Sequence, residues 1–153
     1  MIKLINFTEL SHNEKLMVLE WRNHPRIRAW MFTKEPISLE NHLNYIDSLS
    51  LIKDRIYFLV KEDSKPVGVI DFTNIKDEKA EIGLYAKPEL KGMGSRLMQE
   101  IISYAFNVLK IKTLVSEVFE ANTSAIKLYK KFTFKEIGKR GNIIVMELKN
   151  EDR

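Results

Sequence analysis

Two glycines one residue apart, Gly92 and Gly94, follow Lys91 and precede a run carrying Leu97, Met98, Ile101 and Ile102. Without Cβ atoms they allow backbone amides to approach a ligand closely. A helix that starts there has unpaired amide donors and partial positive charge in its first turn. A diphosphate suits that geometry, and Lys91 adds a full charge beside it. The same residues also fit a plain strand-to-helix turn with glycines placed for packing. The loop is not a dinucleotide fingerprint, because the third glycine is missing, and it is not a phosphate loop of the GK[ST] type. Tyr129 is a second candidate. A phenol is still protonated at neutral pH and can donate that proton. A core tyrosine on an amphipathic helix has the same spacing.

The elements that must position these residues follow from periodicity. Strands are expected at 2–7, 56–61, 67–72 and 80–86, with turns at 63–66 and 74–78. Helices are expected from His12 to Trp21, ended by Pro25, and from an N-cap at Ser38 through Leu39, His42, Leu43 and Ile46. The stretch from Arg26 to Phe32 is a helical turn or loop. After the glycines, Leu97 to Leu109 repeats on one helical face. A strand at 113–119 follows, and the strand–crossover–strand unit makes its two strands parallel neighbours. A helix carrying Ala125, Ile126, Leu128 and Tyr129 starts at Asn122 and Thr123, and strands at 134–138 and 143–148 close the chain. The sum is an α+β fold, a mixed sheet with helices on its faces.

YAKPELKGMGSRLM and EANTSAIKLY, in that order and followed by FTF, resemble the GNAT superfamily of acyl-CoA-dependent N-acetyltransferases. Glu89 stands where glutamine or arginine is usual, the loop after Pro88 is shorter than the common pattern, and Thr133 replaces a usual glycine. The resemblance implies a mostly antiparallel central sheet with one splayed parallel pair that admits the thioester of acetyl-CoA. It implies that backbone groups of Leu84, Tyr85 and Ala86 face the pantetheine arm, where a strand amide can also stabilise the oxyanion. The amides of Lys91, Gly92, Met93, Gly94, Ser95 and Arg96 would hold the diphosphate, and Asn122 would bond the pantetheine. Tyr129 would protonate the leaving thiolate, and no metal takes part. Glu81, His24 and His42 are candidate general bases. A base is dispensable for an amine that titrates near the α-amino range, about 7.7–8.0.

By the same resemblance the acceptor side falls to LEWRNHPRIRAWMF and ISLENHLNYI. Arginines can grip a diphosphate in bidentate fashion, and aromatic or Met side chains can hold a sugar face or base. This mixture suits a nucleotide sugar better than a peptide amine. WRNHP, WMF and ISLxxHL with GLYAKPELKGMG resemble, more narrowly, the acetyltransferases of pseudaminic acid biosynthesis. Those enzymes acetylate the 4-amino group of a UDP-linked 4-amino-4,6-dideoxy-N-acetyl-β-L-altrosamine, whose product goes on to flagellin glycosylation. That match puts Arg22 and His42 at the acceptor, with Trp30, Met31 and Tyr85 packing nearby. Structural roles compete for each: a core place for Trp21 and Trp30, a satisfied histidine at 42, a surface ion pair for Arg22.

The 153 residues suit one domain with a sizeable core, 1–153, with no repeat or linker. There is no cysteine, which excludes disulfides and thiolate chemistry, and the three histidines lack ligand spacing. No export signal or membrane-length apolar run is seen, so the cytoplasm is the expected compartment. The net charge of +4 is a small tilt toward anionic ligands, without the aromatic-basic stripe that nucleic-acid binding calls for. A monomer or weak homodimer is expected. Two other functions fit parts of the pattern: acetylation of a protein N-terminus, which calls for an acidic acceptor groove, and a non-catalytic acyl-CoA-binding regulatory domain.

Overall fold

A computed structural model describes residues 1–152. The strands are β1 (Ile2–Asn6), β2 (Ile56–Glu62), β3 (Lys65–Lys76), β4 (Lys79–Ala86), β5 (Thr113–Phe119), β6 (Lys135–Arg140) and β7 (Ile143–Lys149). The helices are α1 (His12–Asn23), α2 (Pro25–Arg28), α3 (Leu39–Ser48), α4 (Gly94–Ser103) and α5 (Thr123–Lys131). One seven-stranded sheet runs β1-β2-β3-β4-β5-β7-β6, antiparallel throughout except at β4–β5. This is the expected mixed, mostly antiparallel α+β architecture.

The parallel pair is where the fold makes room. Its ladder pairs Lys79 with Thr113, Ala80 with Leu114 and Glu81 with Val115, and stops there. β4 continues to Ala86, still paired with β3, and β5 continues to Phe119, still paired with β7. Each strand therefore keeps its outer partner while the two separate beyond Glu81 and Val115, as the family resemblance implied.

Alternation along the strands builds two cores, one on each sheet face. Phe58, Val60, Ile70 and Phe72 pack with Leu97, Met98 and Ile101 of α4. Their neighbours Leu59 and Val69 point the other way, onto Val18 and Trp21 of α1 and Ile46 of α3. Trp21 is thus a core residue. The helix starts are set by side chains. Ser11 and Glu14 form a reciprocal capping box at α1, and Ser38 Oγ accepts from the Asn41 amide at 3.1 Å.

Two boundaries differ from the periodicity, and a third element takes one of its two expected forms. α4 ends at Ser103, and a wider π-helical turn, Tyr104–Val108, completes the apolar stripe. The Leu109 amide reaches back to the Tyr104 carbonyl, a bond that 3.6-residue spacing cannot reveal. β3 and β4 meet at a tight turn on Asp77 and Glu78, both with positive φ (54° and 62°), at the end of the expected turn 74–78, because β3 runs on to Lys76. The stretch after Pro25 forms a single helical turn, α2, capped by His24, whose Nδ1 accepts from the Arg26 amide at 3.1 Å.

Candidate active site

The gap between β4 and β5 opens into a cavity of about 270 Å³ lined by Leu84, Tyr85, Asn122, Tyr129, Trp30 and Met31. A second cavity of about 250 Å³ adjoins it on the α1–α3 face and is lined by Arg22, His42, Tyr45 and Tyr57. Met31, Phe32, Asp71 and Tyr85 line both and form the shared wall. Residues from both ends of the sequence therefore converge at one point of the sheet. Ala86 and the loop residues 91–96 line neither cavity.

That loop lies at the open start of α4. Gly92 has φ +75°, which only glycine adopts at little cost, and a Cβ there would meet nothing within 4 Å. At Gly94 a Cβ would stand 3.1 Å from Leu128 Cδ2, so this glycine lets α4 approach α5. Met93 gives no side-chain cap, and the first bond onto it, from the Leu97 amide, leaves the amides of Gly94, Ser95 and Arg96 without intrahelical acceptors. Lys131 reaches in from α5, its Nζ donating to Ser95 Oγ at 2.8 Å. Arg96 is ion-paired to Glu62. The loop can thus present three amides and a lysine to an anion.

Asn122 caps α5, its Oδ1 accepting from the Ala125 amide at 3.3 Å, which leaves its amide nitrogen free to donate into the first cavity. Tyr129 sits in the last turns of α5, packed on Phe134 at 5.3 Å between ring centroids. Burial pushes its phenol pKa up, so the proton stays on. Ser116 Oγ is buried without a hydrogen-bond partner.

In the second cavity Arg22 donates from Nη2 to the Thr33 carbonyl at 3.0 Å, while Nη1 is buried with no acceptor. A buried guanidinium nitrogen without a partner is costly and marks where a ligand oxygen would be stabilised. Burial depresses this guanidinium's pKa, consistent with that unmet demand. His42 Nε2 donates to the Lys15 carbonyl at 2.8 Å, tying α3 to α1, and burial pushes its pKa down, which favours the neutral ring.

The candidate bases fare unequally. His24 is occupied as the α2 cap and lines neither cavity. Glu81 accepts from Asn74 Nδ2 at 2.8 Å and lines a cleft with Arg140, and it lines neither of the two cavities. His42 lines the second cavity with one nitrogen already committed. Two acids that the sequence reading passed over do line the first cavity. Glu117 is held by Arg140 Nη2 at 3.2 and 2.9 Å. The Asp71 carboxylate has no hydrogen-bond partner among the described residues, and burial, with Glu81 nearby, pushes it up to about 7. The available signal was a lone acid inside the apolar run Val67–Phe72.

The sequence pattern of the acetyltransferase (GNAT) family matches residues 14–134. The chain belongs to the GNAT acetyltransferases. Among curated members, Acetyltransferase PseH of Campylobacter jejuni serotype O:23/36 is 50% identical over 134 residues, 88% of this chain and 85% of its own. The protein of the same name from C. jejuni serotype O:2 is 48% identical over the same shares. The crystal structure of C. jejuni N-acetyltransferase PseH in complex with acetyl coenzyme A superposes with a TM-score of 0.85 at 41% identity, covering 98% of this chain and 99% of that one. A spermidine N-acetyltransferase from Vibrio cholerae in complex with CoA and spermine reaches a TM-score of 0.86 over 99% and 96% of the two chains. At 19% identity, that likeness shows the shared fold alone. In this GNAT chain the separating strands and the buried tyrosine line one cavity, and the glycine loop lies outside it at the start of α4.

Proposed function

We propose that the chain transfers acetyl from acetyl-CoA to the 4-amino group of UDP-4-amino-4,6-dideoxy-N-acetyl-β-L-altrosamine, a step of pseudaminic acid biosynthesis ahead of flagellin glycosylation. It acts as one cytoplasmic domain, 1–153, as a monomer or weak homodimer. The observation that carries this reading is the 50% identity to PseH over 88% of the chain, which spans both the donor loop and the acceptor segments. No helix among the described residues is long and apolar enough to cross a membrane.

In this reading the diphosphate of acetyl-CoA rests on the amides from Lys91 to Arg96. The pantetheine runs along Leu84, Tyr85 and Ala86 and is bonded by Asn122. The thioester lies in the gap between β4 and β5, with the acceptor sugar against Trp30, Met31 and Tyr85. Arg22 and His42 hold the acceptor from the second cavity, where Arg22 Nη1 supplies the unused donor. The neutral amine attacks the thioester carbonyl, and strand amides stabilise the oxyanion. The C–S bond then breaks, and Tyr129 protonates the thiolate as the amide nitrogen gives up its extra proton.

Thiol release from acetyl-CoA, measured with a panel of UDP-amino sugars and N-terminal peptides, tests the acceptor. Turnover is expected with the 4-amino sugar, and turnover with peptides alone overturns the sugar assignment. Tyr129→Phe should lower turnover by roughly 100-fold or more while acetyl-CoA still binds. Full activity in that variant would remove Tyr129 from the mechanism.

A further inference from the structure

We propose that Asp71 is the proton acceptor for the acceptor ammonium, delivering the neutral amine to the thioester. The inference rests on the acetyl transfer proposed above. Asp71 lies on β3 opposite Gly83 of β4 and Tyr57 of β2. Gly83 is the critical neighbour: a Cβ there would lie 2.5 Å from Asp71 Oδ2. The missing side chain leaves the carboxylate uncovered at the strand that borders the gap. Asp71 lines both cavities, so it stands where an amine from the acceptor cavity meets the thioester cavity.

The surroundings favour a proton that comes and goes. Glu81 and Tyr85 flank Gly83 on β4, Tyr57 faces Asp71 from β2, and Arg22 enters from α1. Tyr129 on α5 and Glu117 on β5 face it across the gap, and Arg26 on α2 lines the same cavity. No hydrogen bond from any of these holds Asp71, whereas Glu117 is bound by Arg140 and Glu81 by Asn74. Burial with an acidic neighbour raises the carboxyl to about 7, which suits transfer near neutral pH. Asp71 and Tyr129 also belong to opposite faces of the sheet, the first with Val69 and Tyr85, the second with the α4 core.

The proton balance closes. The bound ammonium gives one proton to the Asp71 carboxylate and becomes a neutral amine. Its nitrogen forms the C–N bond, and collapse of the tetrahedral intermediate breaks C–S. Tyr129 protonates the sulfur and regains a proton from the amide nitrogen. Asp71 then loses its proton to solvent, so each turnover releases one proton with CoA and the amide.

The test is the pH dependence of kcat at saturating acetyl-CoA and acceptor, from about pH 5.5 to about pH 9, for wild type, Asp71→Asn, Asp71→Glu and Glu117→Gln. The UDP-amino sugar is the acceptor. Should wild type turn over another amine of the panel instead, the same series with that amine separates failure of the sugar assignment from failure of this one. Wild type should rise below about pH 7 and then level off. Asp71→Asn should be roughly 100-fold slower at neutral pH and keep climbing about tenfold per pH unit past the wild-type plateau, levelling only once the amine itself is neutral, above about 7.7–8.0. Asp71→Glu should regain the earlier plateau, acetyl-CoA binding to Asp71→Asn should be retained, and Glu117→Gln should keep the acidic limb. A wild-type-shaped profile in Asp71→Asn, or loss of the limb in Glu117→Gln, overturns the proposal.

Discussion

A carboxylate held without partners inside a sheet is a stability cost, and Asp71 makes that cost measurable. Its folded-state pKa of about 7 lies above the ordinary 3.8, so between these values the folded state binds more protons than the unfolded chain. Stability from this group is therefore full below the ordinary value and is lost as pH rises through about 7. Asp71→Asn removes the titration. Its advantage over wild type should be near zero at the acid end, widen as pH rises through this window and level off above it. The difference should be on the order of a few kcal/mol, read as several degrees in Tm at ~2–4 °C per kcal/mol. A constant gap at every pH would mean that burial does not perturb this carboxyl. Gly83→Ala probes the same contact from the other side. The carboxylate end can swing away from the added methyl, so the fold should survive, while turnover falls as Asp71 leaves its place. Sequence reading could not find this residue. Its importance comes from the register that sets Gly83 opposite Asp71, and register is not visible in a lone Asp within Val67–Phe72.

Between elements, the legible parts were those with local causes. The β4–glycine–α4–β5 unit could be read because turn glycines, a helical stripe and a crossover each leave a sequence mark. The cap at Ser38 could be read for the same reason, since a short polar side chain before an apolar stripe satisfies a free amide. The turn expected at 74–78 is in fact tighter, because Asp77 and Glu78 both adopt positive φ without being glycine or asparagine and leave no mark of where the turn begins. The π turn after Ser103 left no mark, since a five-residue bond keeps the same side chains apolar. The two loop glycines separate cleanly at this scale. Gly92→Ala meets no atom and costs backbone strain alone, about 1 kcal/mol. Gly94→Ala must push Leu128 back, widening the α4–α5 contact. If the amides after these glycines bind the diphosphate, both variants should weaken acetyl-CoA binding measured by calorimetry. Only Gly94→Ala should also disturb the packing of α5 and so slow turnover at saturating acetyl-CoA.

Taken whole, the molecule is a sheet divided near its middle. β1 to β4 form one side, β5, β7 and β6 the other, and the ladder between them is three residue pairs long, from Lys79–Thr113 to Glu81–Val115. Beyond that short ladder the facing edges of β4 and β5 lack each other as partners, and backbone polar groups without partners call for water or a ligand. The pantetheine arm of acetyl-CoA carries amides that can meet that demand, so its binding should stitch the two sides together. The consequence is spatially specific. Amide exchange should slow on acetyl-CoA addition at residues 82–86 and at the start of α4, and change little at 79–81, where the ladder is already closed. Stability should rise by about 2.7 kcal/mol when the donor stands at a hundred times its Kd. Asp71→Asn should show the same protection as wild type, because it acts on the amine and not on the donor. Protection confined to the α4 start, with residues 82–86 unchanged, would place the donor outside the gap and take the thioester away from Tyr129 and Asp71 together.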